Sequence, residues 1–86
     1  MKKITIYTRD LCPYCSRAKQ LLKSLRISFE EIDITRNAAL MEEMIIRAGG
    51  RRTLPQIFVG DLHIGGFDDL NALHLKGKLM PLLKNS

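Results

Sequence analysis

The chain has 86 residues, 45% of them hydrophobic and 27% charged, and its fourteen Lys and Arg against nine Asp and Glu leave a net charge of +5. That length fits one small domain, residues 1–86, with a modest core. The composition excludes a disordered chain, and no stretch approaches the roughly 20 apolar residues of a membrane-spanning helix. The basic residues are scattered, with no run longer than two. This reads as a solvated surface, so neither a nucleic-acid nor a membrane partner is expected.

Residues 3–8 alternate and are rich in β-branched and aromatic side chains, which predicts a strand. From Pro13 the period changes: Ala18, Leu21, Leu22 and Leu25 lie on one helical face. Residues 29–34 return to strand spacing. Asn37 can cap a second helix, with Leu40, Met41, Met44, Ile45 and Ala48 as its apolar stripe and Gly49-Gly50 as its end. Residues 56–59 and 62–64 read as strands joined by a two-residue Gly60-Asp61 turn, the connection of antiparallel neighbours. Asp68 is expected to cap a last helix through Leu70, Leu73 and Leu75, which Gly77 terminates. The order β-α-β-α-β-β-α predicts an α/β fold. A parallel crossover and a hairpin share one four-stranded mixed sheet, flanked by about three helices.

Residues 1–9 bring too few apolar side chains before Arg9 for the roughly 7–15 of a secretory apolar region. A cytoplasmic protein is therefore expected. In a reducing compartment a close cysteine pair is more often catalytic or metal-binding than structural. The only cysteines are Cys12 and Cys15, in the segment Asp10-Leu11-Cys12-Pro13-Tyr14-Cys15. Pro13 suits the first position of a helix, which makes Cys12 the N-cap. Its sulfur then faces the unpartnered N–H groups of Tyr14 and Cys15 and the positive end of the helix dipole. Arg9 and Arg17 add positive charge. Together these lower the pKa of Cys12 and make it a nucleophile near neutral pH. Cys15, one turn on, is the less exposed resolving thiol. A structural staple is disfavoured because so short a loop gains little from closure. A structural metal site is disfavoured because only His63 and His74 remain as further ligands, at no finger-type spacing. Both histidines read as surface residues. No metal is expected.

Cys12-Pro13-Tyr14-Cys15, Thr53-Leu54-Pro55 and Gly65-Gly66-Phe67-Asp68-Asp69, in this order, resemble the motifs of a dithiol glutaredoxin of the CPYC type, bacterial-like, across nearly the whole chain. Leu54 stands where the family usually has valine, and Arg9 where it more often has lysine. The resemblance implies a thioredoxin-like fold, with glutathione as electron donor and co-substrate. Its expected binding residues are Arg9, Tyr14, Arg51, Thr53, Leu54, Pro55, Gly66, Phe67, Asp68 and Asp69, with Arg52 a weaker candidate. Arg9 and Arg51 suit the glycyl carboxylate. A cis Pro55 leaves the Leu54 backbone free to pair with the cysteinyl unit. The helix end near Asp68 suits the γ-glutamyl carboxylate, and Asp69 its ammonium group. Alone, a proline before a strand, Asp68-Asp69 and Gly65-Gly66 mark a turn, a cap and a tight bend.

The implied activity is reduction of protein disulfides and glutathione mixed disulfides, with glutathione reductase acting indirectly through glutathione. The chain is expected to be a monomer. Two alternatives stand. One is a thioredoxin-like reductant fed by a flavoprotein reductase, against which the missing tryptophan and the Pro-Tyr dipeptide argue. The other is an iron–sulfur cluster carrier, whose members usually have a single cysteine.

Overall fold

The computed structural model describes residues 1–84, in the order β1 (Ile4–Thr8), α1 (Pro13–Ser24), β2 (Phe29–Asp33), α2 (Ala38–Arg47), β3 (Gln56–Val59), β4 (Leu62–Gly65), α3 (Phe67–Leu75) and α4 (Leu79–Lys84). The four strands form one sheet in the order β2-β1-β3-β4. β1 and β2 are parallel, joined by α1, whereas β1–β3 and β3–β4 are antiparallel. The sheet is therefore mixed, as its sequence order predicts. The central strands β1 and β3 are buried along their whole length, and the edge strands β2 and β4 only in part.

Period-2 alternation sends alternate side chains of the central strands to opposite faces. Ile4, Ile6, Ile57 and Val59 pack with Ala18 and Leu22 of α1, Leu70 of α3, and Leu79 and Leu83 of α4. On the other face Tyr7 and Phe58 pack with Ile34 and with Met44 and Ala48 from α2 and its C-terminus. This second core carries polar groups. The Tyr7 hydroxyl donates to Glu43 Oε2 at 2.6 Å and accepts from Arg47 Nη1 at 2.7 Å. The Arg47 guanidinium also stacks 4.3 Å from the Phe58 ring centre. Burial, reinforced by the bond to Glu43, raises the Tyr7 pKa.

Helix ends follow local chemistry. Asn37 Oδ1 accepts the Leu40 N–H at 3.0 Å and so caps α2. α1 closes on two bonds, Ile27 N–H to the Leu22 carbonyl and Arg26 N–H to the Lys23 carbonyl, with Arg26 in the left-handed region at φ 57. Two helix expectations need correction. Gly66, not Asp68, is the N-cap of α3, and the expected caps Asp68 and Asp69 fall inside its first turn. Gly77 does end α3, but Leu79 and Leu83, one turn apart, bury a further short helix, α4. Its Pro81 sits in the first turn, where a missing N–H costs nothing. The Leu83 carbonyl accepts the Lys2 N–H at 2.8 Å, which ties α4 to the chain just before β1.

Glu31 on β2 gives a pH test of this packing. Thr8 Oγ1 donates to its carboxylate at 2.6 Å and Lys19 Nζ lies 3.0 Å away. The Thr8 bond, helped by Lys19, lowers the Glu31 pKa below 4.5. The folded state thus favours the carboxylate. The resulting stability is complete above the unfolded value and is lost as pH falls through the lower folded value. Thermal melts from neutral pH to about pH 3 should show a shallower acid decline in Glu31→Gln than in the wild type.

Candidate active site

The strand-to-helix turn after β1 places the cysteines. Cys12 has extended backbone angles (φ −119, ψ 98), Pro13 opens α1, and the Cys15 N–H donates to Cys12 Sγ at 3.2 Å. The two sulfurs are joined as a disulfide across a Cα–Cα separation of 5.2 Å. Cys12 is half-buried, whereas Cys15 is only 2% exposed. The first turn of α1 has no acidic residue, and the Arg17 guanidinium lies 5.1 Å from the Tyr14 ring centre. The sulfur at the cap therefore meets the Cys15 N–H and the positive end of the helix dipole, with no carboxylate in the first turn of α1. Among the described residues, no three His, Cys, Asp or Glu side chains gather where they could share a metal ion.

Cys12 Sγ lies 3.9 Å from the Leu54 carbonyl oxygen, at the side of a groove of about 240 Å³. The groove brings together Tyr14 from α1, Arg51, Thr53, Leu54 and Pro55 from the loop before β3, and Gly66, Phe67, Asp68 and Asp69 from the start of α3. The Leu54–Pro55 peptide is cis. Nine of the ten residues expected to bind a ligand thus line one surface. The tenth, Arg9, lies in a separate cleft with Ile34, Arg36, Asn37, Ala38 and Met41. Arg52 is exposed and does not line the groove.

Asp69 organises the far wall. Its Oδ2 accepts the Gly66 N–H at 2.9 Å, half of a capping box that glycine, lacking a side chain, cannot complete. The same oxygen lies 3.5 Å from Arg51 Nη1. Both side chains are about half exposed, so this pair orients the guanidinium more than it stabilises the fold. The N–H groups of Phe67, Asp68 and Asp69 open α3 without intrahelical partners. Across the groove the Tyr14 and Phe67 rings lie 6.3 Å apart. The surface can therefore offer an anion a guanidinium and helix N–H groups, a cation a carboxylate, and an extended chain a backbone edge beside a reactive sulfur.

Behind Thr53 the structure reveals residues that the sequence pattern did not single out. Gln56 is fully buried, and its amide Nε2 donates to the Thr53 carbonyl at 2.9 Å and to Thr53 Oγ1 at 3.1 Å. His63, expected at the surface, is half-buried instead, its Nε2 2.6 Å from Gln56 Oε1 and its ring stacked on Phe58. Burial, with Arg51 nearby, lowers its pKa, and Asp69 opposes the shift. The inward face of β4 was the available signal, since His63 pairs directly with Phe58 across the hairpin.

A family model described as glutaredoxin matches residues 4–64. The chain is 57% identical over 84 residues to Glutaredoxin 3 of Escherichia coli strain K12, covering 98% of this chain and 100% of that one. Its fold is similar to the solution structure of glutaredoxin from Brucella melitensis, at TM-score 0.85 and 52% identity, with 98% of this chain and 90% of that one covered. It also matches a buckwheat glutaredoxin–glutathione complex at TM-score 0.83 and 31% identity, with 95% and 76% covered. Likeness of this extent, on a thioredoxin-like fold with its cysteine pair at the start of α1, places the chain in the glutaredoxin family, as a thiol–disulfide oxidoreductase of the dithiol type.

Proposed function

We propose that the chain, as one domain and one monomer, uses glutathione to reduce protein disulfides and glutathione mixed disulfides in the cytoplasm. Cys12 is the nucleophile. Its thiolate attacks the glutathionyl sulfur of a mixed disulfide, the old S–S bond breaks, and the protein thiol leaves with the electron pair and takes up a proton. A second glutathione attacks the Cys12 adduct, releases glutathione disulfide and restores the thiol. With a protein disulfide, Cys15 attacks the mixed disulfide on Cys12, and the pair is left oxidised until two glutathiones reduce it. Glutathione reductase re-reduces the glutathione disulfide outside this cycle. The single observation that carries the reading is Cys12 Sγ at the cap of α1, accepting the Cys15 N–H at 3.2 Å. That donor and the helix dipole stabilise the thiolate as attacker and as leaving group.

The groove supplies the complementary charges. In this reading the Leu54 backbone pairs with the cysteinyl unit of glutathione, and Arg51 holds its glycyl carboxylate. The opening N–H groups of α3 and the Asp69 carboxylate take the γ-glutamyl end, and Tyr14 and Phe67 flank it. Thr53 and Pro55 shape the edge on which Leu54 docks. Arg9 contributes charge from outside the groove. The buckwheat relative was solved with glutathione, which supports the choice of ligand.

A coupled assay tests this reading, with reduced glutathione, glutathione reductase, NADPH and a small glutathione mixed disulfide. NADPH loss that depends on the chain is expected. Activity only with thioredoxin reductase in place of glutathione would assign a different donor. Arg51→Ala should raise KM for the mixed disulfide about fivefold to tenfold with little change in kcat, as loss of one half-exposed charge-assisted contact predicts. An unchanged KM would remove Arg51 from the ligand site.

A further inference from the structure

The loop that carries Leu54 is held from behind by a polar chain that does not touch the groove. Gln56 is 0% exposed on a central strand, yet neither of its amide atoms lacks a partner. The Thr53 carbonyl can only accept, so the amide atom facing it, 2.9 Å away, is the nitrogen. Gln56 Oε1 must then face His63, and an amide oxygen can only accept. The His63 Nε2 at 2.6 Å is therefore the donor, and neutral His63 carries its proton there. The His63 ring is fixed in turn by its stack on Phe58, at 5.0 Å between ring centres. Arg47, 4.3 Å from the same Phe58 ring, lies on α2, and Arg51 and Asp69 are the charged groups that act on His63.

We propose that His63 is a positioning residue for the exchange reaction: by donating from Nε2 to Gln56 it locks the Gln56 amide, which holds Thr53 and sets the Leu54 backbone edge beside Cys12. The inference rests on the reading that Leu54 docks the substrate. Without the His63 donor, the Gln56 oxygen is left buried and unpaired, a penalty that only movement of the amide or of its loop can relieve. A turn of that amide would present its oxygen to the Thr53 carbonyl, which repels it, and the loop would shift. Docking, more than chemistry, then suffers.

The test compares His63→Phe, which keeps a ring to stack on Phe58 but has no donor, with His63→Gln, whose amide nitrogen reaches about as far as Nε2. Backbone amide NMR signals of Thr53 and Leu54 and steady-state kinetics with a glutathione mixed disulfide are read together. In His63→Phe the two signals should move and KM should rise about fivefold, the equivalent of about one hydrogen bond, with kcat within about twofold. His63→Gln should restore both. If His63→Phe does not fold, His63→Leu, smaller and equally without a donor, takes its place. Unmoved Thr53 and Leu54 signals would overturn the inference whatever KM does. Moved signals with unchanged KM would overturn it as well, since the loop shift would not reach the substrate. The groove reading fails separately, by absence of glutathione-dependent turnover in the wild type, and the two amide signals then still decide the His63–Gln56–Thr53 link.

Discussion

Replacing Cys12 by serine is expected to abolish turnover of both substrate types, by at least about a thousandfold. The serine hydroxyl is the wrong nucleophile: at neutral pH it is not ionised, and oxygen cannot form the mixed disulfide on which the cycle runs. The fold should survive, because serine is a good N-cap and can accept the Cys15 N–H that now reaches Cys12 Sγ. Circular dichroism and thermal melting should therefore match the wild type. Cys15→Ser separates the two reactions. Cys15 is buried one turn behind Cys12, and in the proposed cycle it serves only where a second thiol must release a protein substrate. That variant should lose reduction of protein disulfides and keep deglutathionylation. Equal loss of both would contradict the division of roles.

Gly65→Ala should lower the melting temperature by about 10–20 °C and weaken the groove together with the fold, a loss of about 2–4 kcal/mol for a domain of this size. Gly65 has φ +121, a region side chains rarely adopt, and a Cβ there would overlap the Asp69 carboxylate and approach Arg51 Nη1 at 2.9 Å. Asp69 could yield only by giving up the Gly66 N–H and its pairing with Arg51. The alanine thus strains the β4–α3 corner and dismantles the far wall of the groove in one change. Gly60→Ala is the control: Gly60 is also left-handed, at φ +57, but a Cβ there meets nothing within 4 Å. Its loss should be clearly smaller. Equal melting temperatures for the two variants would mean that backbone strain alone, and not the Asp69 contact, sets the effect.

The elements whose signal is local were legible in the sequence. The β-branched run of β1, the Leu22 face of α1 and the Asn37 cap each rest on residues within a few positions of one another, and each forms where its spacing predicts. The cap at Cys12 belongs to the same class, because Pro13 fixes the start of α1. Where the pattern misled, the deciding contact was distant or the element short. Asp68 looked like a cap because its side chain suits one, but Gly66 takes the position and Asp69 folds back to its N–H. α4 spans six residues and is anchored by Leu79 and Leu83 in a core built by β1, α1 and α3, none of which its own sequence announces. His63 and Gln56 are polar residues in short strands, and only cross-strand pairing brings the one beside Phe58 and buries the other against Thr53. Most residues that line the groove lie in the three motifs, and Arg51 was singled out by its charge; the exception, Arg9, lies in another cleft with Ile34 and residues 36–38.

In the proposed cycle Cys12 carries the covalent intermediate with glutathione. The most direct measurement is the intact mass of Cys15→Ser after exposure to glutathione disulfide, with peptide mapping of the product. A single glutathionyl adduct on Cys12 is expected, formed as one glutathione thiolate leaves, cleared by added reduced glutathione, and absent from the Cys12→Ser Cys15→Ser double variant. A Cys15→Ser protein that stays unmodified while the wild type turns over would contradict it, because the exchange would then not pass through glutathione on Cys12.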